Sequence, residues 1–240
     1  MTQPATESLV PPLLEADDGE SPLHGYRGPE DDLPITGIPA GLTIALSREA
    51  GARGATIARR AGEKLGWDVY SQEMLEYVAQ NVSARQDLLD KLTPAANEWI
   101  EEQLQSLQAR DHLSPNPMVR DLARLVLTLG VQGNVILLGR GAGFILPSRS
   151  SLHVRLVAPH ENRVAYMSQL LRLTEEEAQA EVRKRDHRRA DFLATHFHCK
   201  PNDVHIFDMI LNTGLLGEER CADLIAAAAK AKMSAVVGME

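Results

Sequence analysis

Apolar positions follow two rhythms along this chain. Short, mostly apolar runs alternate with longer stretches in which apolar residues recur every three to four positions. The runs are Leu42–Leu46, Trp67–Tyr70, Asn134–Leu138, Leu152–Val157 and Phe207–Leu211. Compact apolar runs bounded by turn residues predict strands covered on both faces. A helix is predicted from near Ala55, with Gly66 as its C-cap. Gln72–Ala109 reads as further helices, with Leu75, Val78, Leu88, Leu92, Trp99, Ile100, Leu104 and Leu107 at helical spacing. The segment Ser114-Pro-Asn-Pro117 breaks that run, and Met118–Leu129 predicts another helix ending at Gly130. Helices follow over Pro159–Leu171, from Thr174 (a capping box with Glu177) and over Leu216–Met233. Strands separated by helices predict an α/β fold, a parallel β-sheet flanked by helices.

Residues 1–39 break both rhythms. They are rich in Pro, Glu, Asp, Gly and Ser, and are expected to form a disordered acidic tail before a domain spanning 40–240. With 33 acidic against 25 basic residues, the formal net charge is −8. A phosphate backbone needs a basic face, so nucleic acid is not an expected partner. No apolar stretch approaches the ~20 residues that span a bilayer, and no signal segment is visible, so no membrane partner and a cytoplasmic location are expected. Cys199 and Cys221 suggest no disulfide framework.

Three places carry candidate chemistry. The first is Ser47–Gly54, a small-residue loop between a buried strand and a helix. Glycines let the backbone approach phosphate oxygens, and a helix N-terminus favours an anion. The usual pattern G-x-x-x-x-G-K-[ST] lacks its lysine here. Arg53 lies inside the loop, with Arg48, Arg59 and Arg60 close by, and Thr56 could offer a hydroxyl to Mg²⁺. The second is Gly139-Arg140-Gly141, directly after an apolar strand, where open α/β sheets bind ligands. The third is Glu181–Arg189, in which five of nine residues are Lys or Arg. Helical spacing puts Arg185, Arg188 and Arg189 on neighbouring positions of one face, suited to closing over a polyphosphate. His187, His196, His198, Cys199 and His205 match no closed zinc pattern, and no protein metal cluster is expected.

The order of these pieces resembles the nucleoside monophosphate kinase fold, and most closely the cytidylate kinase-like family. The segment LTIALSREAGARGATIARRAGEKLG is similar to that family's variant phosphate loop. Met118-Val119-Arg120, a helix and then NVILLGRG resemble the arrangement in which two arginines hold the acceptor monophosphate. VRKRDHRRADF resembles the mobile lid, and FDMILNTG the last strand. The resemblance implies an ATP- and Mg²⁺-dependent phosphotransferase whose partners are small-molecule nucleotides. It implies ATP contacts from Ser47, Arg48, Gly51, Arg53, Gly54 and Thr56, and acceptor contacts from Arg120 and Arg140. It gives transfer chemistry to Arg185, Arg188 and Arg189, an acceptor-binding arm to 72–129, and a lid to 172–200.

The chain also departs from the family's pattern. Ser47 replaces an aspartate, and the loop lysine falls on Gly54. Gly141 replaces an aspartate, an acceptor arginine falls near Glu76, and a lid arginine falls near Phe192. These departures leave two other readings open: a nucleotide-binding pseudokinase or sensor, and a kinase for a different small acceptor.

Overall fold

The structure is a computed structural model that describes residues 39, 41–199 and 204–237; the expected tail, 1–39, lies outside them but for residue 39. Five strands form one sheet: β1 (Thr43–Arg48), β2 (Asp68–Tyr70), β3 (Val135–Leu138), β4 (Ser151–Val157) and β5 (Met209–Asn212). Their order is β2-β3-β1-β4-β5, and every pairing is parallel. Nine helices accompany them among the described residues. They are α1 (Gly54–Leu65), α2 (Gln72–Gln80), α3 (Val82–Leu89), α4 (Pro94–Ala109), α5 (Pro117–Gln132), α6 (Ala142–Ile145), α7 (His160–Leu171), α8 (Glu175–Phe197) and α9 (Thr213–Val237).

Strand period two divides the core. Ile44, Leu46, Ile136 and Leu138 face α1 and α9, packing with Ile57, Ala61, Cys221 and Ile225. Ala45, Val135 and Leu137 face the helical arm, packing with Leu75, Ile100, Leu104, Leu122, Val126 and Leu129. A third cluster joins Ala50 of the loop after β1 to Val164, Met167, Ala178 and Val182. That apolar contact seats the α7–α8 hairpin on the loop. Both thiols are buried, and burial pushes Cys199 up to about 12 and Cys221 up to about 11. Neither should react with a thiol reagent at pH 8 until the protein unfolds; labelling of the native protein within minutes would contradict this burial.

Several boundaries differ from the sequence reading. Helix α5 continues through Gly130 to Gln132, because Gly130 is a packing position: a Cβ there would lie 2.5 Å from Leu146 Cδ2. Helix α9 starts at Thr213, where Asn212 Oδ1 accepts from the Gly214 and Leu215 N–H groups, and it kinks at Gly217. Helix α8 runs on to Phe197, so His196 is helical, and His198 caps it in the left-handed region. The capping box at its start is present: Glu177 Oε2 accepts from Thr174 N at 2.8 Å, and Thr174 Oγ1 from Glu177 N at 3.3 Å. No helix among the described residues is long and apolar enough to cross a membrane.

Candidate active site

The connections after β1 and β3 leave neighbouring strands for opposite faces of the sheet, α1 on one and α6 on the other. Such a switch point opens a crevice beyond the carboxyl ends of the strands. Arg48 ends β1 there, and Gly139-Arg140-Gly141 follows β3.

The loop between Arg48 and α1 is held from the hairpin side. The Ala50 N–H donates to Asp186 Oδ1 at 2.9 Å. Arg163 of α7 donates from Nη1 to Asp186 Oδ2 at 2.7 Å and to the Ala50 carbonyl at 3.3 Å, and its Nε lies 3.4 Å from Glu49 Oε2. The Ala158 N–H fixes that Glu49 carboxylate at 3.1 Å. Gly51 has φ +78°, and a Cβ there would lie 2.5 Å from the Arg163 carbonyl, so this approach admits only glycine.

Arg53 is oriented differently from what its place in the loop suggests. It adopts φ 59° and caps α1 without a side-chain hydrogen bond. Its guanidinium pairs with Glu218 of α9 at 3.0 Å and lies 4.8 Å from the Tyr166 ring centroid. Thr56 is half-buried in the first turn of α1. Ser47 Oγ donates to the Val154 carbonyl at 3.3 Å, which ties it to β4.

Beyond β1, β3 and β4, one pocket is lined by Arg48, Arg140, Arg155 and Arg189, with Gln72 and Phe192, and no carboxylate lines it. Its volume is about 30 Å³, room for a water and not for a nucleotide. Arg48 is fully buried. Burial holds its guanidinium well below the usual arginine range, and the Arg189, Arg140 and Arg185 charges push the same way. Burial, then Arg189 and Arg188, push Arg140 down to about 9. Arg140 also pairs with the buried Glu76 and lies 4.6 Å from the Phe192 ring centroid. Two of the departures from the family's pattern, Glu76 and Phe192, therefore meet on one guanidinium.

The structure divides the basic run of α8. Arg185 is buried, with Nε donating to Glu181 at 2.7 Å, and Arg189 reaches the pocket, whereas Arg188 is exposed. Arg188 is exposed, yet it is an i, i+3 neighbour of Arg185 and its charge also reaches Arg140. Arg120 faces α4, 3.7 Å from Glu101, beside Arg124 on the same carboxylate, and it does not line the pocket with Arg140. Among the described residues no group of three His, Cys, Asp or Glu could hold a metal ion.

Two residues of this region escape sequence reasoning: Arg155 and Arg163. Arg155 sits inside the apolar run of β4, where its side-chain direction depends on strand register. Arg163 lies just past the carboxyl end of β4, in Pro159-His-Glu-Asn-Arg163. The strand-end rule that singles out Arg140 would have found it.

The cytidylate kinase-like family matches residues 43–215. An uncharacterized protein from Eubacterium ventriosum ATCC 27560 shares the fold, with TM-score 0.59 and 18% identity over 79% of this chain and 98% of that one. A shikimate kinase from Bacteroides thetaiotaomicron aligns with TM-score 0.42 and 13% identity, over 79% of this chain and 97% of that one. No curated protein matches. By a match that runs from the first residue of β1 into the first turn of α9, this chain belongs to the cytidylate kinase-like family.

Proposed function

We propose that this protein is an ATP-dependent phosphotransferase that moves the γ-phosphoryl group to a small acceptor, a pyrimidine nucleoside monophosphate. The observation that carries this reading is the pocket of four arginines and no carboxylate, at the switch point beside a glycine-bearing loop. Arginine clusters suit oxygen anions, because each guanidinium can fork onto two oxygens. The loop after β1 leads into the N-terminus of α1 at Gly54, and the donor phosphates sit there. Arg48 and Arg140 take the phosphates that meet at the strand ends. Arg185 and Arg189 bring the lid, 172–200, over them. The arm, 72–129, covers the acceptor. Arg120 has no part in this assignment while Glu101 holds it.

Chemistry of this kind needs little covalent help from the protein. Positioning and charge stabilisation carry most of the rate, and Mg²⁺ on the ATP phosphates neutralises charge as the bond breaks. The small pocket volume implies that α8, which lines the pocket through Arg189, Phe192 and Leu193, moves to admit nucleotide.

A second reading, a nucleotide-binding sensor with slow or no transfer, draws on the Glu76–Arg140 pair. That pair engages a guanidinium otherwise available to the acceptor phosphate. ADP release in the presence of ATP and Mg²⁺, measured against CMP, dCMP, UMP and AMP with a no-acceptor control, separates the two. Acceptor-dependent release, fastest with a pyrimidine monophosphate, is the expected result. ATP binding with no release above the control would leave the sensor.

A further inference from the structure

We infer that the Asp186 carboxylate holds, in this closed form, the position that a donor phosphate oxygen takes in the nucleotide complex, and that Arg163 binds the two anions in turn. The inference deepens the phosphotransferase reading and rests on it.

The donors on Asp186 are those that a phosphate would use. One is a backbone N–H of the phosphate loop, Ala50 N, at 2.9 Å. Another is a guanidinium, Arg163 Nη1, at 2.7 Å. Together they form a site for a planar or tetrahedral oxyanion, with the loop on one side and the cation on the other. Arg163 is fastened to the loop independently of Asp186, through the Ala50 carbonyl and Glu49. It stands on α7, and these contacts do not involve α8, so it stays at the loop if α8 alone carries Asp186 away. Asp186 sits on α8, three positions from the pocket-lining Arg189, and reaches the loop at Ala50. Withdrawal of the carboxylate is therefore a movement of α8 away from α7 and the loop.

This assignment also answers the missing lysine. A phosphate loop needs a cation near the β- and γ-phosphates, and Arg53 is engaged with Glu218 and Tyr166 on the outer side. Arg163 reaches the loop from α7 and supplies the charge from outside the motif. In the closed form its charge is balanced by Asp186, so the loop needs no ligand to hold its shape. Nucleotide then exchanges one anion for another.

Calorimetric titration of Mg·ATP into the full chain tests this, with unliganded melting temperatures measured alongside. Asp186→Asn removes the competing charge while keeping an acceptor for the Ala50 N–H. It should lower the melting temperature and yet tighten Mg·ATP about tenfold. A merely structural aspartate would move both in the unfavourable direction. Arg163→Ala should weaken Mg·ATP by tenfold or more, and by more than Arg53→Ala does, with Arg163→Lys recovering part of the loss. Wild-type binding together with unchanged or weaker binding in Asp186→Asn would overturn the exchange. Undiminished binding in Arg163→Lys and Arg163→Ala would overturn the role of Arg163. If the wild type itself bound no Mg·ATP, the phosphotransferase reading would fall first and this inference with it.

Discussion

Arg189→Ala should lower phosphoryl transfer by about 10³-fold, the scale on which a transition-state arginine acts. Arg189 lines the arginine-rich pocket from α8, and its charge is felt by both Arg48 and Arg140. Removing it takes away stabilisation that matters most when charge spreads over the transferring group. The same substitution relieves like-charge repulsion in the unliganded protein, so the melting temperature should hold or rise slightly. Arg188→Ala is the internal comparison. Arg188 is exposed and does not line the pocket, although its charge reaches Arg140, and its removal should cost no more than about tenfold. Turnover at saturating ATP, read beside thermal melts, checks both. Equal losses for the two variants would mean that the face of α8 turned inward in this structure is not the one that acts.

Glu76→Ala should destabilise the fold by about 3 kcal/mol, because truncating one member of a buried ion pair leaves the other uncompensated. Glu76 and Arg140 are 9% and 12% exposed at their side chains, so solvent screens little of this loss. The pKa of Arg140 shows the stress from the other side. It is lowered in the folded chain to about 9, so the charged form costs stability at every pH below that value. The penalty is relieved only as pH rises through the folded pKa, where the native state releases its proton before the unfolded state does. Removing Glu76 deepens the penalty. The melting temperature should fall by about 8 °C for a chain of this size. Inorganic phosphate, at ionic strength matched with chloride, should recover more of the stability of Glu76→Ala than of the wild type, since an added anion replaces the missing carboxylate. A loss below about 1 kcal/mol, or no selective phosphate effect, would show that the pair is not an energetic hinge of the site.

Most of the scaffold is legible in the chain. The apolar runs at 42–46, 134–138 and 152–157 become β1, β3 and β4 within a residue or two, because a doubly covered strand leaves few polar positions to confuse it. Thr174 and Glu177 mark a helix start by local chemistry alone, and the capping box is there. Glycines are harder to read. Gly130 looks like a terminator, but it lies inside α5 because Leu146 packs against it, a contact no local pattern announces.

The site is legible as types of residue more than as directions. Arg48, Arg140, Arg185 and Arg189 converge because strand ends and one helix face bring them together, and both features have a sequence signature. Arg53 does not join them. Its left-handed backbone and its pairing with Glu218, 165 positions away, turn it outward. The bond from Ala50 to Asp186 spans 136 positions. The pairing of Glu76 with Arg140 likewise exists only once α2 lies over the end of β3. Spacing rules see neighbours along a helix or strand, and these contacts are between elements.

The measurement closest to the central claim follows the label from γ-³²P-ATP, incubated with the protein, Mg²⁺ and CMP. Labelled CDP should form only when protein and CMP are both present, and should be lost in Arg189→Ala. Label that stays in ATP, or appears only as inorganic phosphate regardless of acceptor, would contradict transfer to a nucleoside monophosphate.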